Sequence, residues 1–188
     1  ARGLCPAALP RLRPSPLLGC SAILVDFIGL SMIAPILPSI VGSQAVGNIL
    51  TAQYLSVVAG QLAVAALADR FGRRLMIFLV MIFDAILFAA TGLTKDVSAL
   101  IALRVLAGFA APVALGISYV AEVSAHIEPA RRNFNFALVG VSFNLGSLVG
   151  AATGGLLGGS MWLPANLVTG AVPLFVAVWA LATDGEAP

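Results

Sequence analysis

Apolar residues run through this chain in long blocks, broken only by short polar or charged interruptions. The blocks fall at about 17 to 41, 47 to 68, 75 to 93, 97 to 123, 134 to 157 and 163 to 183. Each is near the ~17 to 25 residues that an α-helix needs to cross a hydrocarbon core about 30 Å thick. Six spanning helices are the simplest count, and the expected fold class is an all-α membrane protein. The links are short: Gly42 to Gly47, Asp69 to Arg74, Thr94 to Asp96 and Gly158 to Trp162. Such links make sequential helices antiparallel neighbours. Pro35, Pro38, Pro112 and Pro173 fall inside the blocks. Their freed backbone groups must be relieved by neighbouring helices or water, so they predict bends.

This pattern divides the chain into three parts. Residues 1–16, with Pro6, Pro10, Pro14 and Pro16, read as a disordered cytoplasmic tail. Residues 17–183 form the transmembrane bundle, and Asp184 to Pro188 begin a cytoplasmic segment.

Composition agrees with a lipid solvent. Only 10% of residues are charged and 60% are hydrophobic, with a mean hydropathy of +1.05, whereas a soluble domain carries roughly 25% charged residues. The net charge is +2, but the cations sit in small clusters between blocks and not along one stripe, which excludes a nucleic-acid partner. Cys5 and Cys20 show neither metal spacing nor a disulfide framework. Leu17 to Cys20 is similar to a lipoprotein cleavage box, but the apolar run continues past Cys20 as a spanning helix requires. No metal cluster, nucleophile elbow or phosphate loop is visible, and no nucleophile, base and orienting residue can be grouped from the loops. An enzyme is therefore the least favoured class, and no cofactor is expected.

The arginines orient the bundle. Arg2, Arg11 and Arg13 precede the first block, Arg70, Arg73 and Arg74 follow the second, and Arg131 and Arg132 follow the fourth, while the opposite side shows only Lys95. The excess of positive charge on one side places both termini in the cytoplasm, for a plasma membrane and for a vesicle or organelle membrane alike.

Several polar groups sit where hydrocarbon should exclude them. Asp26 lies about nine residues into the first block, or roughly 13 Å, close to the bilayer middle. Asp84 lies about halfway through the third block. Acids at that depth face a polar cavity or mark a substrate or proton path; a buried structural ion pair is the alternative. Arg104 enters the fourth block by about two turns, and Glu122 follows about five turns later on the same face. Gly108, Ala111, Leu115 and Ser118 fill the stripe between them, which suits a cavity wall or a close helix contact. Gln53, Ser56, Gly60 and Gln61 make a weaker polar stripe in the second block.

Gly146, Gly150 and Gly154, with Gly155, form a ladder spaced by four that lets another backbone approach closely. Beside it, Asn144 and Ser147 suit either a cavity lining or a hydrogen bond between helices. His126, in the loop with Glu128, reads as a solvated loop residue. Asp69 ends a helix whose dipole disfavours an anion there, whereas Arg70, Arg73 and Arg74 suit that end. The misfit acid calls for a role.

The segment from Ala65 to Arg74 resembles the loop motif between helices 2 and 3 of the major facilitator superfamily, G-x-L-A-D-R-x-G-R-R, with Ala65 where the family prefers Gly. Asp26 to Pro38 is similar to the first helix of that family's drug:proton antiporters, an acid followed by P-x-x-P. Arg104 to Gly108 is similar to the helix 4 motif and Tyr119 to Glu122 to its inner end. Gly146 to Gly155 resembles the helix 5 antiporter motif G-x-x-x-G-P-x-x-G-G, with Ala151 in place of the proline. In order, these match the N-terminal six helices of a 12-helix antiporter, most closely tetracycline efflux proteins and vesicular amine carriers.

The resemblance implies two inverted three-helix repeats forming one half of the fold, completed by a missing C-terminal six-helix half or a second copy. It implies proton-driven export of a small drug-like or amine solute, with Asp26 and Asp84 among the coupling acids and Arg104 influencing their protonation. Gln53 and Asn144 are further candidates near the path. Asp69, Arg70, Gly72, Arg73, Arg74 and Glu122 would form the inner gate, and the glycine ladder would contact the other half. Ala65 and Ala151 weaken the gate contact and the export-type kink. Two other readings remain: a facilitator or symporter for sugars or organic solutes, and a truncated six-helix protein that does not transport.

Overall fold

The computed structural model describes residues 15–157 and 162–182. Among them lie eight helices and no strand: α1 (Pro16–Ile36), α2 (Pro38–Val41), α3 (Ser43–Phe71), α4 (Arg73–Leu93), α5 (Val97–Phe109), α6 (Val113–Val123), α7 (Pro129–Leu157) and α8 (Trp162–Ala182). Six spans result, because α1 with α2 and α5 with α6 each fill one block. All six are long and apolar enough to cross a membrane. The expected tail lies outside the described residues except for its last two, Ser15 and Pro16. The Ser15 hydroxyl accepts from the Leu17 amide at 3.3 Å, and Pro16 opens α1 where a missing N–H costs nothing. Residues 183–188 and most of the Gly158 to Trp162 link also lie outside.

The expected boundaries need three corrections. The first link shrinks to Gly42 (φ +81°) and the second to Gly72 (φ +89°), conformations open to glycine and strained for other residues. Arg131 and Arg132 belong to the first turn of α7 and not to a loop. Hydropathy detects only the hydrocarbon-length part of a helix. α3 and α7 each have 29 residues, or about 44 Å, so both ends run on into the interfacial layer.

Prolines account for the subdivided spans. Pro38 has no N–H to bond back into α1, so the helix breaks at Leu37. Pro112 stops α5 in the same way and opens α6 after a three-residue break, Ala110 to Pro112. Pro35 and Pro173 remain inside α1 and α8.

Small residues set which helices touch. Gly60 of α3 lies against the Phe109 backbone, and Gly108 of α5 against Ser56 and the Gln53 carbonyl. In the other part of that span, a Cβ on Gly116 of α6 would stand 2.9 Å from the Gly19 carbonyl of α1. A Cβ on Gly146 would stand 2.5 Å from the Leu24 carbonyl; Gly150 abuts the Ile28 carbonyl and Gly154 the Met32 carbonyl. The Phe27 and Phe143 rings close the same α1–α7 seam, with centroids 4.1 Å apart.

The outward surface is apolar: Leu62 is 74%, Leu156 88% and Phe175 76% exposed, as suits a lipid environment or a further apolar partner. Inside, the core splits into two clusters. One contains Leu18, Val25, Val64, Ile77, Met81, Leu115 and Val176. The other, toward the Lys95 end, contains Met32, Ile36, Ile49, Phe88, Leu100 and Ala165.

Candidate functional site

A polar layer lies between those two clusters. On each helix the polar residue falls in sequence between members of the one and the other: Asp26 between Val25 and Met32, Gln53 between Ile49 and Val64, Asp84 between Met81 and Phe88, Arg104 between Leu100 and Ala110, and Thr169 between Ala165 and Val176. Five polar side chains from α1, α3, α4, α5 and α8 thus share one level of the bundle. All are buried; Asp26 is 8% exposed, Asp84 1% and Arg104 1%.

Arg104 donates from Nη2 to the Thr91 hydroxyl of α4, and its guanidinium carbon lies 5.1 Å from the centre of the Phe88 ring. The Thr91 hydroxyl donates in turn to the Leu87 carbonyl at 2.7 Å. Asp26 and Asp84 act on Arg104 through the low-dielectric interior, but among the described residues neither comes within ion-pair distance. Asp84 Oδ2 and Arg104 Nε and Nη1 are buried without hydrogen-bond partners. A structural ion pair would satisfy these atoms, so the geometry disfavours that alternative for this trio. Thr169 completes the layer, its hydroxyl donating to the Ala165 carbonyl at 2.8 Å and lying 3.2 Å from Met32 Sδ.

Other expected members lie elsewhere. Asn144 is exposed and donates to the Gly140 carbonyl of its own helix at 2.8 Å, so it neither lines the polar layer nor bonds another helix. Ser147 does likewise with Phe143 at 2.9 Å. The glycine ladder is also reassigned: Gly146, Gly150 and Gly154 are already filled by α1, while Gly155 faces open space. The expected contact with another half is therefore taken by a neighbour within this bundle. Gly108 is packed onto α3, so the stripe between Arg104 and Glu122 begins as a close helix contact and not as a cavity wall.

At the arginine-rich end, Arg73 donates from Nη1 to Glu122 Oε2 and to the Ser118 carbonyl, both at 3.0 Å. Its Nη2 lies 3.7 Å from Asp69 Oδ1. Arg74 donates to the Ala180 carbonyl at 2.5 Å and the Leu181 carbonyl at 2.6 Å. Both arginines open α4, where a helix dipole disfavours cations, which corrects the assignment of these charges to the end of α3. Arg73 is held by the Ser118 carbonyl and the Glu122 carboxylate of α6, and Arg74 by carbonyls in the last turn of α8. Asp69, Gly72, Arg73, Arg74 and Glu122 thus tie α3, α4, α6 and α8 together; Arg70 is exposed in the last turn of α3.

A half-open cavity of about 370 Å³ lies between α1, α7 and α8, lined by Ile28, Met32, Thr153, Leu157, Val168 and Thr169 among others. It reaches the polar layer through Thr169 and Met32. Thr91, Phe88 and Asn166 were not foreseen as site residues. Asn166 is wholly buried, with Oδ1 unpartnered; an Asn near the start of the last apolar block was the available signal.

Six membrane-length helices, a polar layer buried between two apolar clusters and an arginine clamp at one end define a helical membrane protein. The Major Facilitator Superfamily profile matches residues 19–188, and the chain belongs to that superfamily. It is similar to the tetracycline resistance protein, class C, of Escherichia coli, with 31% identity over 143 residues, 71% of this chain and 35% of that protein. The chain therefore spans about a third of the length of this relative.

Proposed function

We propose that this chain is the six-helix half of a secondary transporter that exports a small, drug-like or amine solute in exchange for protons by alternating access. The observation that carries the reading is the buried layer holding Asp26, Asp84 and Arg104 at one level, with polar atoms left unpartnered. Two carboxylates and one guanidinium leave a surplus negative charge in a low-dielectric interior. Binding one proton removes that surplus, so proton occupancy and the conformation that exposes the layer become linked. The similarity to a tetracycline resistance protein supports an exported, partly apolar solute.

In this reading the arginine clamp is the cytoplasmic gate. Opening that end requires Arg73 to leave Glu122 and Ser118, and Arg74 to leave the end of α8. Both termini would then face the cytoplasm. The exposed faces of α3 and α7 would receive a second bundle, either further sequence of the same protein or a second copy.

The test is solute flux into vesicles containing the full-length protein under an imposed proton gradient. Flux should collapse in Asp26→Asn and Asp84→Asn and survive conservative changes on the outer surface. Wild-type flux that ignores both the gradient and these substitutions would refute the proposal. One observation favours a second reading, facilitation or symport: α7 is continuous from Pro129 to Leu157, with Ala151 where an export-type kink would require proline. That reading predicts uptake down a solute gradient, and finding only outward, proton-driven flux would exclude it.

A further inference from the structure

Arg104 is the largest of the fully buried side chains, yet it rests beside neutral partners. Its contacts are the Thr91 hydroxyl and the Phe88 ring at 5.1 Å. Both supports are fixed. Thr91 is fully buried and spends its one hydroxyl proton on the Leu87 carbonyl, so toward Arg104 it can only accept, as a guanidinium demands. Phe88 is 2% exposed and lies so close to Gly29 of α1 that a Cβ there would enter the ring. Gly29, three residues after Asp26, makes the space that lets the ring reach beneath the guanidinium.

Asp84, Phe88 and Thr91 follow one another at helical spacing on one face of α4, so the acid and the neutral supports lie within about 10 Å along the axis. The flexible Arg104 side chain can therefore exchange one for the other. Asp26 from α1 and Asp84 from α4 are the acids acting on it. Among the described residues, α3 and α8 bring only the uncharged Gln53, Asn166 and Thr169 to this region.

We propose that Thr91 and Phe88 form a neutral cradle for Arg104 and thereby set the pH at which the Asp26/Asp84 pair takes up its proton. The guanidinium occupies the cradle when the pair is protonated and leaves it for a carboxylate when the pair is ionised. This rests on the proton-coupled reading above and assigns positioning roles that reading does not contain. Thr91 and Phe88 touch no solute; they act through Arg104.

The sign follows from the two states. Removing the Thr91 acceptor destabilises the cradled state and leaves the ion-paired state alone, so the proton must be driven on at lower pH. Loss of one hydrogen bond to a charged group corresponds to a shift of about one pH unit.

The experiment titrates the carboxyl infrared band that disappears in Asp26→Asn or Asp84→Asn, using purified full-length protein, alongside flux against pH in vesicles. Thr91→Val should move both midpoints down by about one unit, Thr91→Ser should keep the wild-type midpoints, and Phe88→Leu should move them in the same direction by less. A merely structural role would lower protein yield or flux at every pH and leave the midpoints in place. Unmoved carboxyl midpoints in both Thr91→Val and Phe88→Leu would overturn the cradle, and Phe88→Leu keeps the test open if Thr91→Val does not fold. Flux indifferent to the proton gradient would instead refute the exporter reading, because the infrared titration does not depend on transport.

Discussion

Replacing Gly150 by alanine tests the close packing of α1 on α7. The new methyl carbon would abut the Ile28 carbonyl and stand 3.0 Å from both the Ile28 Cα and the Ser31 Cβ. Two of those three neighbours are backbone atoms, which cannot swing aside as a side chain would. Restoring ordinary contact near 3.5 Å requires the two helices to part by roughly 1 Å, and overpacking of this kind costs about 1–3 kcal/mol. Alanine also gains about 1 kcal/mol of helix propensity over glycine, which must be subtracted. Gly155→Ala makes that gain without the clash, because nothing lies within 4 Å of its Cβ position. The two variants should therefore differ by about 1–3 kcal/mol. Cys20 of α1 is 5% exposed, so with Cys5 replaced by serine its reaction with a thiol dye during heating reports the opening of this seam directly. Gly150→Ala should label at lower temperature than wild type, and Gly155→Ala at the same or a higher temperature. Equal labelling temperatures for the two variants would refute the packing argument.

Arg74→Lys keeps the charge but cannot hold two carbonyls of α8 in one plane; it should lower stability in the same assay by about 1–2 kcal/mol, and wild-type behaviour would deny the clamp its role. Gly72→Ala meets open space but must adopt φ +89°, so it should cost about 1–3 kcal/mol through strain alone, with Gly47→Ala, inside α3 with open space around it, as the unstrained comparison. Glu122→Gln retains an acceptor for Arg73 but loses the charge, and should raise the rate at which a cysteine placed at the arginine-rich end of α6 is labelled by a water-soluble reagent. No change would remove Glu122 from the proposed gate.

Much of this fold was legible because lipid permits few backbone solutions: a block of apolar residues of bilayer length must be a helix. The buried charges were legible for the same reason, since Asp26, Asp84 and Arg104 stand out against hydrocarbon in any reading. What the pattern could not supply was pairing. The ladder from Gly146 to Gly154 announces that a backbone comes close, but spacing on one helix carries no record of which neighbour fills it. Asn144 differs: its amide finds the carbonyl four residues back, a local bond that competes with any contact across helices. Arg73 and Arg74 were assigned to the wrong helix end because one glycine, and not a loop, separates α3 from α4, and their acceptors lie about 45 and 106 residues away. Thr91 and Phe88 look like any residues of an apolar span until Arg104 is seen to lie against them.

The break at Ala110 to Pro112 divides the loyalties of the fourth span. Its first part is seated on α3 through Gly60 and Gly108, and its second on α1 through Gly116 and Gly19. Any sliding of α1 past α3 must then be absorbed by three residues, which act as an articulated joint in what hydropathy reads as a single rod. Amide exchange along this span should accordingly fall into two blocks with separate protection, each keeping time with the helix it is fastened to.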